Sequence, residues 1–147
     1  MTYAGNKRAR FDFEILDTFE AGLVLMGTEV KSIRLGRARL DGSYVVVRGG
    51  EAFLVGASIA PFQPVNTPKS YDPERSRKLL LSQKELARIH RETEQGRLTA
   101  VPLSLYNKGG KIKLEFALAR GKKQADKREH LKERDVKREI DRTLKMQ

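Results

Sequence analysis

"LTAVPLSLYNKGGKIKLEFALA", residues 98–119, decides the fold. Ile112, Leu114, Phe116 and Leu118 alternate with other residues, and so do Val101, Leu103 and Leu105 on the far side of Asn107–Gly110. Apolar residues recurring with period two on both sides of a glycine-bearing turn predict an antiparallel hairpin with one buried face. Pro102 cannot donate to a strand ladder, so it marks an edge position or a bulge.

The same grammar extends outward. "SYVVVRGGEAFLVGA" (43–57) reads as strand, Gly49-Gly50 turn and strand. "FDFEILDTF" (11–19) puts Phe11, Phe13 and Ile15 on one side and Asp12 and Glu14 on the other, a half-buried strand that "AGLVL" continues, with Gly22 as a possible bulge. Residues 1–10, with Lys7, Arg8 and Arg10, read as a short basic arm. In "GTEVKSIRLG" (27–36) the period changes: Thr28 suits an N-cap, Glu29 the first turn and Gly36 the C′ position of a short helix. Lys31 and Arg34 share a face of it, and Arg37 follows its end. Four prolines between 58 and 77 predict an irregular loop that closes on Arg75 and Arg77. Ser82-x-x-Glu85 is a capping box for a second helix, with Leu86 and Ile89 buried and Gly96 at its end. Residues 11–119 thus hold about six strands and two or three short helices. The expected class is mainly β: a small antiparallel OB-like barrel.

From residue 120 the large apolar residues stop. This segment carries 11 of the 30 basic residues but only 6 of the 19 acidic ones. Val136, Ile140 and Leu144 would form a thin stripe on a helix, and Glu133–Lys137 and Asp141–Lys145 are acid-then-base pairs four apart. Such pairs add too little to hold an isolated helix in water. The expected organisation is a barrel with its arm at 1–119 and a basic tail at 120–147, disordered alone and helical on a partner.

Composition points to partners rather than chemistry. The net charge is +11 with 33% charged residues, which suits nucleic acid, an anionic surface or an acidic protein. With no cysteine there is no disulfide framework and no thiolate metal site. "MTYAGNKRARFDFE" lacks the apolar core of a secretory signal, and no window approaches ~18 apolar residues, so neither export nor a membrane span is expected. The cytoplasm is the expected location. His90 and His130 are the only histidines, and no metal, phosphate-loop or nucleophile motif accompanies them. We therefore expect no enzyme, no cofactor and no metal.

Basic residues gather at the arm, the first helix and its exit, Arg75/Arg77/Lys78, and the tail, and each group could neutralise phosphates. Tyr3, Phe11, Tyr44, Tyr71 and Tyr106 could stack on bases or pack the barrel. A basic OB-type single-strand binder and a small nuclease stand as rivals to a dedicated RNA factor.

"NKRAR" (6–10), "FEAGLVLMGTEVKSIRLGRA" (19–38), "RKLLLSQKEL" (77–86) and "LYNKGGKIKLEFALARGKKQADKRE" (105–129) occur in an order that resembles the SsrA-binding protein (small protein B) family of bacterial trans-translation. The resemblance covers nearly the whole chain. It implies an OB-like barrel that binds the tRNA-like part of transfer-messenger RNA (tmRNA) and brings it to stalled ribosomes as a monomer, standing in for the anticodon arm. It implies RNA-binding roles for Asn6, Lys7, Arg8, Arg10, Glu20, Lys31, Arg34, Arg37 and Leu81. Glu20 would either accept from a base edge or orient a neighbouring donor, or serve as a structural acid in the barrel. The resemblance further implies that the tail contacts the ribosome, at the small-subunit decoding site and the empty mRNA channel. The residues concerned are Gly121, Lys122, Lys123, Asp126, Lys127, Arg128, Lys132, Arg134, Lys137 and Arg138. It departs at Ala125, where relatives often carry a ring able to stack on a base.

Overall fold

The structure is a computed structural model that describes residues 1–122. Expectations for the tail beyond Lys122 lie outside the described residues. The elements run β1 (Thr2–Gly5), α1 (Lys7–Asp12), β2 (Phe13–Leu23), α2 (Gly27–Arg34), β3 (Ala38–Arg39), β4 (Tyr44–Arg48), β5 (Glu51–Val55), β6 (Ser58–Ile59), β7 (Arg77–Leu80), α3 (Gln83–Glu94), β8 (Thr99–Lys108) and β9 (Lys111–Gly121), with a 3-10 turn at Pro64–Asn66.

Six strands close a ring in the order β8-β4-β5-β7-β2-β9, and the β8–β9 pairing completes it. Every pairing is antiparallel, β1 adds to the outside of β8, and β3 pairs with β6 apart from the ring. The expected OB-like barrel is therefore the observed one. Gly49-Gly50 and Gly109-Gly110 both take positive φ, from 59° to 79°, as two-residue turns between twisted strands require. The Ser82/Glu85 capping box is formed, and Leu86 and Ile89 are buried.

Two β-bulges reassign the apolar alternation. β9 keeps one parity: Ile112, Leu114, Phe116 and Leu118 all enter the main core. β2 shifts register between Ile15 and Asp17. Before the shift Phe13 and Ile15 pack on the outer side of the sheet, and after it Phe19, Ala21 and Leu23 pack inside. β8 shifts between Pro102 and Ser104, so Val101 and Leu103 face outward while Leu105 faces in. One extra residue reverses every side chain that follows it.

The outward apolar residues are covered by the N-terminus. Residues 1–12, expected as an arm and the start of a strand, form β1 and α1 instead. Ala9 of α1 sits on Val101, Leu103, Ala117 and Ala119. Alanines at 117 and 119 leave room for a helix there. Phe11 is buried as a helix residue, so its alternation with Phe13 was coincidental.

The other departure concerns Arg75 and Arg77, expected as phosphate contacts. Arg77 is 0% exposed and its guanidinium meets Glu29, 1% exposed, with Nη2 at 2.7 Å and Nε at 3.1 Å from Oε2. Arg75 donates to both oxygens of the same carboxylate. The Met26 amide donates to Oε1 at 2.9 Å, and Met26, not Thr28, is the N-cap. Arg77 also donates to the Ala57 carbonyl, and Tyr71 to that of Ile59. Burial pushes the Glu29 carboxyl up, but the hydrogen bonds from Arg75, Met26 and Arg77 and the charge of Arg77 outweigh it and hold it below its ordinary value.

Glu29→Gln keeps the shape but leaves two guanidiniums without a counter-charge. The expected loss is about 3–5 kcal/mol in urea unfolding at pH 7. Because the folded carboxyl titrates low, its stabilisation is complete above the ordinary value of about 4.3 and is lost as pH falls through the folded one. The gap between wild type and variant should therefore close below about pH 4 in repeated titrations.

Candidate nucleic-acid interface

The outer face of β2, β9 and β8 carries Glu20 and the docked α1, with Asn6, Lys7, Arg8 and Arg10. At one end lies α1. The Asn6 backbone amide donates to the Leu103 carbonyl and its Nδ2 to that of Pro102, both at 2.9 Å. The bulge that turns β8 thus also anchors the arm. Lys7, Arg8 and Arg10 are exposed on the helix that follows. The Arg8 guanidinium lies 5.0 Å from the Phe11 ring and 3.6 Å from Asp12, which directs it along the surface. A cleft of ≈ 260 Å³ separates α1 from the 42–44 turn, with Asn6, Arg8, Ser43 and Tyr44 in its walls. Tyr44 is 43% exposed, so a cation and a free ring share this cleft.

Toward the other end of the same face stands Glu20. It accepts from the Tyr106 hydroxyl and from Lys108 Nζ at 3.1 Å. The Tyr106 bond, then that of Lys108, and the charges of Lys108 and Lys113 hold its carboxyl below the ordinary range despite some burial. Burial and the Glu20 bond together push the Tyr106 phenol well up, so it stays a donor. Glu20 is therefore an ionised acid that fixes one ring and one cation. Across the ladders Glu20 faces Glu115, and Tyr106 faces Lys113. At ~3.3 Å per residue this cluster lies about 13–20 Å along β9 from Ala119, where α1 packs.

The α2 cations are exposed and aimed. Lys31 Nζ lies 5.5 Å from the Phe62 ring, Arg37 donates to the Phe62 carbonyl at 3.2 Å, and Arg34 donates to the Gly110 carbonyl at 3.1 Å. Arg34 thereby joins α2 to the β8–β9 turn at the tip of the face. Leu81 is half-buried and packs against the main core, whereas its neighbour Leu80 is 56% exposed and lies beside Gly22 and near Lys113. Sequence reasoning missed Leu80, although strand parity in "RKLL" would have found it: Arg77 and Leu79 point in, so Lys78 and Leu80 point out. Gly121 ends β9 opposite Phe13, and Lys122 lies against α1. Lys123, Asp126, Lys127, Arg128, Lys132, Arg134, Lys137 and Arg138 lie outside the described residues. Of the other aromatics, Tyr3 is half-buried against the core and Tyr71 is held by the Glu29 network.

The face combines a basic end, a fixed tyrosine and lysine, an exposed leucine and a second basic group. Cations meet phosphates while rings and apolar groups meet bases and sugars. Among the described residues no group of three His, Asp or Glu side chains is placed to hold a metal ion. No described helix is long and apolar enough to cross a membrane.

Known proteins resemble this chain over almost its entire length. A family model, SmpB protein, matches residues 3–146. The SsrA-binding protein of Thermosynechococcus vestitus is 49% identical over 140 residues, covering 95% of this chain and 92% of its relative. That of Enterococcus hirae is 51% identical (97% and 92% covered), and that of Cupriavidus necator 50% (99% and 97% covered). A solved structure described as "tmRNA-SmpB: a journey to the center of the bacterial ribosome" superposes with a TM-score of 0.67 at 44% identity, covering 86% of this chain and 92% of its own. With the family match spanning all but the first two residues and the last, this chain belongs to the SmpB protein family.

Proposed function

We propose that this protein binds the tRNA-like part of tmRNA through the outer face of β2, β9 and β8 and brings it to stalled ribosomes. The observation that carries this is the likeness in sequence and fold, over 86% of the chain, to a structure that pairs SmpB with tmRNA on the bacterial ribosome. The geometry supports it with cations and rings spaced along one side of the barrel, from Arg8 past Glu20, Tyr106 and Lys108 to Arg34 at the β8–β9 turn. Lys7, Arg8, Arg10, Lys31, Arg34 and Arg37 meet phosphates; Tyr44, Tyr106 and Leu80 meet bases and sugars. Leu81, beside Leu80, packs against the main core. The protein acts as a cytoplasmic monomer, without cofactor or metal, and is an adaptor rather than an enzyme. The barrel, residues 1–119, reads RNA. The segment from 120 onward serves the ribosome, entering the decoding site and the vacant mRNA channel.

The test is binding of the full-length protein to tmRNA, an elongator tRNA and a single-stranded RNA at several salt concentrations. A clear preference for tmRNA at every salt concentration is expected, with Arg8→Ala lowering the salt slope by about one. Equal binding of all three RNAs would make the protein a general single-strand binder instead.

Glu20→Gln separates two roles of that acid. If Glu20 positions Tyr106 and Lys108, the neutral variant should bind tmRNA about three- to tenfold more weakly, since a charge-assisted pair becomes an ordinary one. Tighter binding of the variant, measured in the same titration, would mean that Glu20 merely repels phosphate.

A further inference from the structure

β9 ends where α1 ends. Gly121 pairs with Phe13, and the next amide, that of Lys122, donates to the Asp12 carbonyl at 2.9 Å. The Lys122 side chain turns back over the helix, and its ammonium donates to the Arg10 carbonyl at 2.9 Å. The last carbonyls of a helix have no acceptor role inside it, and the helix dipole favours a cation beside them. α1 has only six residues, far too few to persist alone. It is tied at its start by Asn6 on the β8 bulge, along its length by Ala9 and Phe11, and at its end by Lys122.

We propose that Lys122 is a positioning residue of the RNA-binding arm. It is the joint through which the first residue beyond β9 holds α1 so that Lys7, Arg8 and Arg10 stay presented. The inference rests on the reading of α1 as an RNA contact. It gives Lys122, expected from the sequence as a ribosome contact, an acceptor within its own chain. It also fixes the start of the ribosome-directed segment on the very helix that meets RNA. A displacement at residue 122 is then felt by the arm, and RNA bound to the arm constrains the point from which that segment departs.

The test uses three full-length variants. Lys122→Met removes the donor and the charge, Lys122→Arg keeps both, and Lys84→Met removes an equal charge from the exposed side of α3, away from the proposed face. Amide hydrogen exchange of Arg10 to Phe13 is measured in the free protein, and tmRNA binding is titrated in parallel. The expected result is ~5-fold faster exchange and ~5-fold weaker tmRNA binding for Lys122→Met, with the other two near wild type and the salt slope unchanged. Unchanged exchange in Lys122→Met, with weaker binding and a salt slope lowered by about one, would make Lys122 a plain phosphate contact. That would overturn the joint and leave the RNA reading intact. Faster exchange with undiminished tmRNA binding would overturn the proposal through its premise, because α1 would then not be an RNA contact.

Discussion

The carboxylate of Glu29, buried between two guanidiniums, ties segments far apart in the chain to a single charge beside the main core. It lies in the first turn of α2 and receives Arg75 and Arg77, 46 and 48 residues away, while Tyr71 packs its hydroxyl against the same group. β7, α2 and the proline-rich loop therefore meet at one charge. Such a network is a poor source of net stability, because the desolvation of three ions offsets most of their attraction. It does impose one arrangement, since any other leaves a charge buried and unpaired. α2 is consequently fixed in azimuth, and Lys31, Arg34 and Arg37 are turned outward. Arg34 can then reach the β8–β9 turn and extend the basic strip onto the barrel.

The second constraint is the pair of bulges. Without them Phe13, Ile15, Val101 and Leu103 would share a parity with the barrel interior, and the outer face would have no apolar floor on which a helix could sit. With them the floor is narrow, paved by Ala117 and Ala119, and α1 fits as a single short turn-and-a-half. The arm is thus a docked helix with a defined orientation rather than a loose basic peptide. A preordered arm forfeits less entropy when it binds RNA than a disordered one. Cations on it supply affinity, but phosphates alone carry little identity. In the proposed RNA reading, shape recognition falls to the fixed Tyr106–Glu20–Lys108 group, to Tyr44 and to Leu80, at set distances from the cations.

Much of this was legible in the sequence, and the physical reason for each exception is local. β9 alternates without interruption and is paired on both sides, so its parity reads directly. Hairpin glycines and the Ser82 capping box are chemical signatures that tertiary context seldom overrides. Bulges leave no such mark: Ile15-Leu16-Asp17 and Pro102-Leu103-Ser104 look like continuing strands, and only Pro102 hinted at trouble. The α1 segment was misread because Phe11 and Phe13 happen to alternate across a helix-to-strand junction. Arg77 looked like a surface cation because nothing in "ERSRK" announces a carboxylate 48 residues upstream. The site fared similarly. Asn6 to Arg10 and Glu20 were named through the family resemblance, yet the function of Glu20 as an anchor for Tyr106 and Lys108 emerges only when β2 and β8 are laid across β9.

The most direct test is an amide-exchange footprint of the tRNA-like part of tmRNA on the free full-length protein. The account predicts protection at Lys7–Arg10, around Glu20 and Tyr106, at Leu80 and along the outer side of α2, with α3 unchanged. Protection centred on α3 and the β4–β5 turn, with α1 and Glu20 exchanging as before, would place the RNA on another side of the barrel and contradict it.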